Sequence, residues 1–266
     1  MEGVASAIDS PVNVDIFPDV NVLITLTLNQ PTFLTACQKF RDDVIRETIG
    51  VKITASVRRV FDYKVLGVND LVGRVLGGLT NHLSVTTTRG RDELLEKATL
   101  AQCDKQILRG YFKNQILAAD SELGKNQLRA VEAWVIRKFD DALRSAKNPV
   151  LLVEFLGFLF ELSNDANEDF NTNYAMLHND LQIGAPVSVN PPNSSSRSKI
   201  ELAGVHDPED IDHLASIWEY IIPQARKAVF ATTDYKDVIA NQAELSKLEI
   251  YCETPTYAVD AYKSLL

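Results

Sequence analysis

From Val12 to Leu28, aliphatic and often β-branched residues recur at every second position, and this stretch constrains the fold more than any other. Val12, Val14 and Ile16 would share one face of an extended chain, as would Val20, Val22, Ile24, Leu26 and Leu28. Asn21, Thr25, Thr27 and Asn29 would line the opposite face. A period of two in residues that pack well on a pleated surface predicts two strands. Phe17-Pro18-Asp19 between them reads as a turn. A helix is expected from about Thr32 to Ile49, opened by Pro31, closed by Gly50 and striped by Phe33, Cys37, Phe40 and Val44. Alternation resumes at Val51, Ile53, Ala55 and Val57. The first 63 residues therefore read as a small β-β-α-β module.

The pattern then turns helical. Asp92–Ala118, as one segment or as two broken near Gly110, and Ser121–Lys147 read as long helical segments. Asn148 and Pro149 are suited to cap and open a further helix, which is apolar nearly all round through Leu162. Such a helix is normally the centre of a bundle. The expected organisation is a module over 1–63, a helical bundle over 64–183, a Pro/Ser/Asn-rich flexible linker over 184–199, and an acidic helical region over 200–266 packed on the bundle. The fold class expected is α+β, predominantly helical.

Charge is uneven along the chain. The net charge is −9, yet residues 151–266 alone hold 18 acidic against 7 basic residues, or −11, while 61–150 come to +3. Acidic surface repels phosphate, so any nucleic-acid contact would fall to the mildly basic centre. The basic residues Arg58, Arg59, Arg74, Arg89, Arg91, Arg137, Lys138, Arg144 and Lys147 lack the interleaved aromatics of a single-strand binder. Cys37, Cys103 and Cys252 are odd in number and far apart, which is not a disulfide framework. MEGVASAIDS lacks the basic and apolar regions of a secretory signal. The apolar run Val150–Leu162, interrupted by Glu154 and Glu161, falls short of the roughly 20 residues a membrane span requires. A reducing, cytoplasmic location and no membrane partner are expected.

Several clusters resemble chemical sites. His206, Asp210 and His213 would share a helical face at spacings suited to a transition metal. The same residues read better as a helix start: Asp207 as N-cap, Pro208 in the first position, and Glu209 and Asp210 in the first turn. His206 would then fall outside the helix. Asp165, Asn167, Asp169 and Asn171 have the oxygen spacing of half a calcium loop, but Phe170 and Met176 stand where that loop needs Gly and Glu. A polar interhelical loop is expected there. Gly67, Gly73, Gly77 and Gly78 precede no Gly-Lys-Ser/Thr, and Gly73 and Gly77 suit close helix packing instead. Glu154 and Glu161 lie two turns apart on the most apolar helix, where buried carboxylates would serve acid–base chemistry or mark a polar edge. His82 and His178 complete the histidines, and Cys37 reads as an inert core thiol.

No motif assigns a catalytic residue, a cofactor or a metal, and the balance is against an enzyme. The function expected is that of a self-associating structural or assembly subunit, as in a capsid, particle or scaffold, with a copy of itself or another protein as partner. Its motivation includes strand edges that must be covered or paired. The alternatives are an enzyme built on buried carboxylates or on the His206–His213 region, and an adaptor that binds a protein through its acidic C-terminal helices.

Overall fold

The computed structural model describes residues 13–29, 32–64, 150–187 and 191–266, and positions 67, 73, 77, 102–103, 133, 136–138, 140–141 and 144. The fold is α+β and predominantly helical. It divides into two compact units. One is built from Met1–Leu26, Thr32–Phe61 and Met176–Leu266, and the other from Thr27–Pro31 and Asp62–Ala175.

Strand β1, Val14–Pro18, is buried along its whole length. The strand expected after it is instead helix α1, Val20–Leu28. The Asp19 carbonyl accepts from the Val22 and Leu23 amides, so Asp19 starts a helix rather than a turn. The physical reason lies in burial. Thr25 and Thr27, expected on the opposite face of a strand from the aliphatic residues, are 1% and 0% exposed, and Leu23, which breaks the alternation, is also buried. A helix enclosed on nearly every side needs no period of 3.6, and its environment overrides the β propensity of its valines and threonines.

Helix α2, Leu34–Arg46, buries the expected stripe of Cys37, Phe40 and Val44. It ends short of Gly50, because Thr48 already takes a left-handed conformation at φ 56. Val51 forms a single parallel bridge to Ile16, and the Ile16 carbonyl accepts from Lys52 N at 2.9 Å. The expected strand stops there. Thr54 accepts from Val57 N through its hydroxyl and from Arg58 N through its carbonyl, which opens helix α3 over residues 55–64. Ala55 and Val57 are therefore helical.

Further along the chain, Gln102–Cys103, within the segment expected to be helical, forms a two-residue strand β2 that pairs antiparallel with β3, Val150–Leu151. Helix α4, Leu152–Asp180, follows directly. It runs through Asp165–Asn171, so the polar loop expected there is helix. Asn148 and Pro149 lie outside the described residues, as does most of the expected bundle.

The acidic region, expected to be mostly helical, supplies two strands. Helix α5, Ser194–Leu202, starts inside the expected linker, with Asn193 as N-cap accepting from Ser196 N. Helix α6 spans Pro208–Ile221, β4 Lys227–Ala231, α7 Gln242–Ser246, β5 Ile250–Glu253 and α8 Ala258–Leu265. All three strands of the sheet are parallel in the order β1-β4-β5. Ala228, Val229, Phe230 and Ala231 are fully buried, as expected of a central parallel strand covered on both faces. Runs this short do not distinguish strand from buried helix by pattern. The expected 1–63 module and the 200–266 region thus share one sheet and one core, in which Phe17 packs with Ile217, Phe230 and Ile250. No helix among the described residues is long and apolar enough to cross a membrane.

Candidate metal centre

The carboxyl ends of adjacent parallel strands are where open α/β sheets bind ligands. Here those ends carry Asp19, directly after β1, and Thr232, directly after the neighbouring β4. Asp19 N continues the ladder by donating to the Ala231 carbonyl at 2.8 Å, and Thr232 N donates to the Glu253 carbonyl at 3.0 Å. Both side chains are buried, Asp19 at 1% exposure and Thr232 at 0%. Thr232 Oγ1 donates to Asp19 Oδ2 at 2.8 Å, and Asn21 Nδ2 reaches the same oxygen at 3.3 Å. Asp19 Oδ1 faces His213 Nδ1 at 3.9 Å.

Helix α6 brings two further groups. Asp207 is its N-cap, accepting from Glu209 N at 2.8 Å and Asp210 N at 3.3 Å, and Pro208 opens it. The helix start read from the sequence is therefore present, and His206 lies outside it. The same geometry turns Asp210 and His213, one turn apart, toward the core, where they are 7% and 1% exposed. One ligating atom from each of Asp19, Asp210 and His213 lies within 4.8 Å of the others.

The loop after β4 surrounds this trio with more carboxylates. Thr232 Oγ1 accepts from Asp234 N, and Asp234 Oδ1 accepts from Lys236 N and Asp237 N. Asp237 Oδ2 accepts from both His206 N and Asp207 N at 2.8 Å, tying the loop to the start of α6. Burial pushes the Asp210 carboxyl up to about 8, and the negative charges of Asp19, Asp207, Asp234 and Asp237 push in the same direction. Burial also raises Asp19, opposed in part by His213, Thr232, the Val20 amide and Asn21. Two buried carboxylates at this distance need a shared proton or a cation.

The other sequence candidates fall elsewhere. Glu161 is exposed, and the Glu154 side chain lies outside the described residues. Gly73 and Gly77 occupy helical positions, and no heavy atom of the described residues lies within 4 Å of where a Cβ would stand. His178 sits in the last turn of α4. His82, Gly78, Arg74, Arg89, Arg91 and Lys147 lie outside the described residues. Lys138 pairs with Asp169 at 2.8 Å and Arg144 with Asp141 at 3.0 Å. Cys37 and Cys252 are buried free thiols, Cys37 pushed up to about 12 by burial and Cys252 raised likewise, so neither is a ready thiolate.

Comparison with known protein families, curated proteins and solved structures finds no match for this chain.

Proposed function

We propose that this protein is a divalent-cation-dependent hydrolase acting on a phosphate ester. The observation that carries the reading is the buried Asp19–Asp210–His213 trio at the carboxyl end of the parallel sheet, its ligating atoms within 4.8 Å of one another. The residues fit a cation. Asp19 keeps one oxygen turned to the cluster while Thr232 and Asn21 hold the other. Such hydrogen-bonded support is what orients metal ligands in metalloenzymes. A dication held there would neutralise the surrounding carboxylates, polarise a phosphoryl oxygen and activate a water.

The substrate class follows from the surroundings. Carboxylate-held dications commonly complete their coordination with substrate phosphate oxygens. Helices α1 and α6 both begin at the cluster, adding two positive dipole ends that favour an anion once the cation is bound. The acidity of residues 200–266 also acquires a use, since Asp207, Asp210, Asp234 and Asp237 all come from that region.

Turnover of bis(p-nitrophenyl) phosphate and of single-stranded oligonucleotides, with and without added dications, tests the reading. Hydrolysis that requires the cation, stops with EDTA and falls by at least about 100-fold in Asp19→Asn or Asp210→Asn supports it. A folded protein that binds no dication overturns it. The assembly role expected from the sequence has no such observation in its favour. Of the strand edges that are part of its motivation, that of β1 is bridged by the chain's own Val51 and Lys52.

A further inference from the structure

Asp19 and Asp210 alone would make an all-oxygen site of the kind that suits Mg2+ or Ca2+. The third member of the trio is an imidazole. His213 is 1% exposed on the second turn of α6, and its ring faces the Asp19 oxygen that Thr232 and Asn21 leave uncovered. Asp210, 7% exposed, accepts no hydrogen bond through its carboxylate from any described residue, and it sits one turn before His213 on the same rigid helix. Asp207 caps that helix, and Asp237 anchors the two residues that lead into it, His206 and Asp207, through their backbone amides, so Asp210 and His213 are presented as a unit.

We propose that this centre takes a first-row transition-metal dication in preference to Mg2+ or Ca2+, with Asp19 and Asp210 as oxygen ligands and His213 as the nitrogen ligand that selects it. The chemistry of the donors is the reason. Mg2+ demands near-octahedral oxygen coordination and gains little from imidazole, whereas imidazole strengthens binding along the series from Mn2+ through Co2+ to Zn2+. This rests on reading the cluster as a metal centre and adds which metal it holds and why.

Titration of the full chain with Co2+ and with Mg2+ by calorimetry gives the first readout. Co2+ is expected to bind at least about 100-fold more tightly than Mg2+. His213→Asn should lower Co2+ affinity by about 10–100-fold while moving Mg2+ affinity by less than about threefold. Because His213 is buried, a second readout uses protein with His213 intact. Pulsed EPR of the Mn2+ complex should show nitrogen coupling from a histidine. The coupling should persist in His82→Asn, His178→Asn and His206→Asn, which change the chain's other three histidines. A cation bound without nitrogen coupling, or Mg2+ bound as tightly as Co2+, overturns this inference and leaves the proposed hydrolase standing. Loss of the coupling in one of those three variants assigns the nitrogen elsewhere and also overturns it. A folded protein that binds neither cation overturns both.

Discussion

Thr232 and Asp19 stand 213 residues apart in the chain, yet the Thr232 hydroxyl donates to Asp19 Oδ2 at 2.8 Å inside the fully buried end of the sheet. The hydroxyl also accepts from Asp234 N at 3.0 Å, so one side chain fixes the first carboxylate and the loop that carries the next. Thr232→Val keeps the shape and removes both bonds. It should weaken dication binding by about 10–100-fold, the usual effect of losing a partner that orients a ligand. Chemical denaturation should show a loss of about 1–3 kcal/mol, because the Asp234 amide loses its acceptor and the Asp19 oxygen a donor. Unchanged affinity in calorimetry would separate Thr232 from the site.

Without metal, stability should depend on pH through Asp210. Its carboxyl titrates near 8 in the folded protein and in the ordinary carboxylate range when unfolded. A raised folded value means that the native state binds the extra proton. The contribution is fully present below about pH 4 and is lost as pH rises toward about 8. Asp19, also raised by burial, acts in the same sense. Urea denaturation in EDTA should therefore show the protein more stable at pH 5 than at pH 8. Asp210→Asn should flatten that slope and stabilise the metal-free protein at pH 8. Saturating dication should remove much of the difference by supplying the missing positive charge. Metal-free stability that rises between pH 5 and 8, in wild type but not in Asp210→Asn, would contradict the assigned direction.

Part of this was legible in the sequence. Asp207, Pro208, Glu209 and Asp210 announce the start of α6, and the spacing of Asp210 and His213 places both on one face. What local pattern does not carry is the arrival of Asp19 at that face, because it depends on β4 pairing between β1 and β5 across most of the chain. Asp19 looked like a turn residue because the run after it alternates like a strand. Burial of Val20–Leu28 on nearly every side removed the polar face that would have marked it as a helix. The cluster needed the parallel topology before any of its members could be read as a ligand.

Gly204 tests how tightly the two loops at the site are tied. It adopts φ +97, and a Cβ there would stand 2.6 Å from Asn241 Oδ1. Asn241 is held in place because its amide donates to the Gly204 carbonyl at 2.9 Å and to the Asp237 carbonyl at 2.6 Å. Asp237 in turn receives the amides of His206 and Asp207. Gly204→Ala combines a left-handed backbone with a clash against a fixed side chain, and should cost about 1–3 kcal/mol. Asn241→Ala relieves the clash but loses both bonds. Combining the two should therefore cost less than the sum of the single changes, which a double-mutant cycle by urea denaturation will read.

The opposite end of the sheet offers a contrast that separates stability from function. Asp15, in β1, is 5% exposed and pairs with Arg226, just before β4, through contacts of 2.6 Å and 3.1 Å. Arg226→Met would leave a buried carboxylate without its cation, a change that costs about 3–5 kcal/mol in a fully buried pair. Arg226 keeps about a quarter of its side chain exposed, so solvent will moderate the loss to about 2–4 kcal/mol. The double change Asp15→Leu with Arg226→Met should restore most of that stability, because an apolar pair can replace a buried ion pair at little cost. Dication affinity should stay within about twofold of wild type in the double variant, since the pair lies at the amino end of the strands and the cluster at the carboxyl end. If the double variant folds but loses its metal, the site extends along the strands and is not confined to the groups named around Asp19.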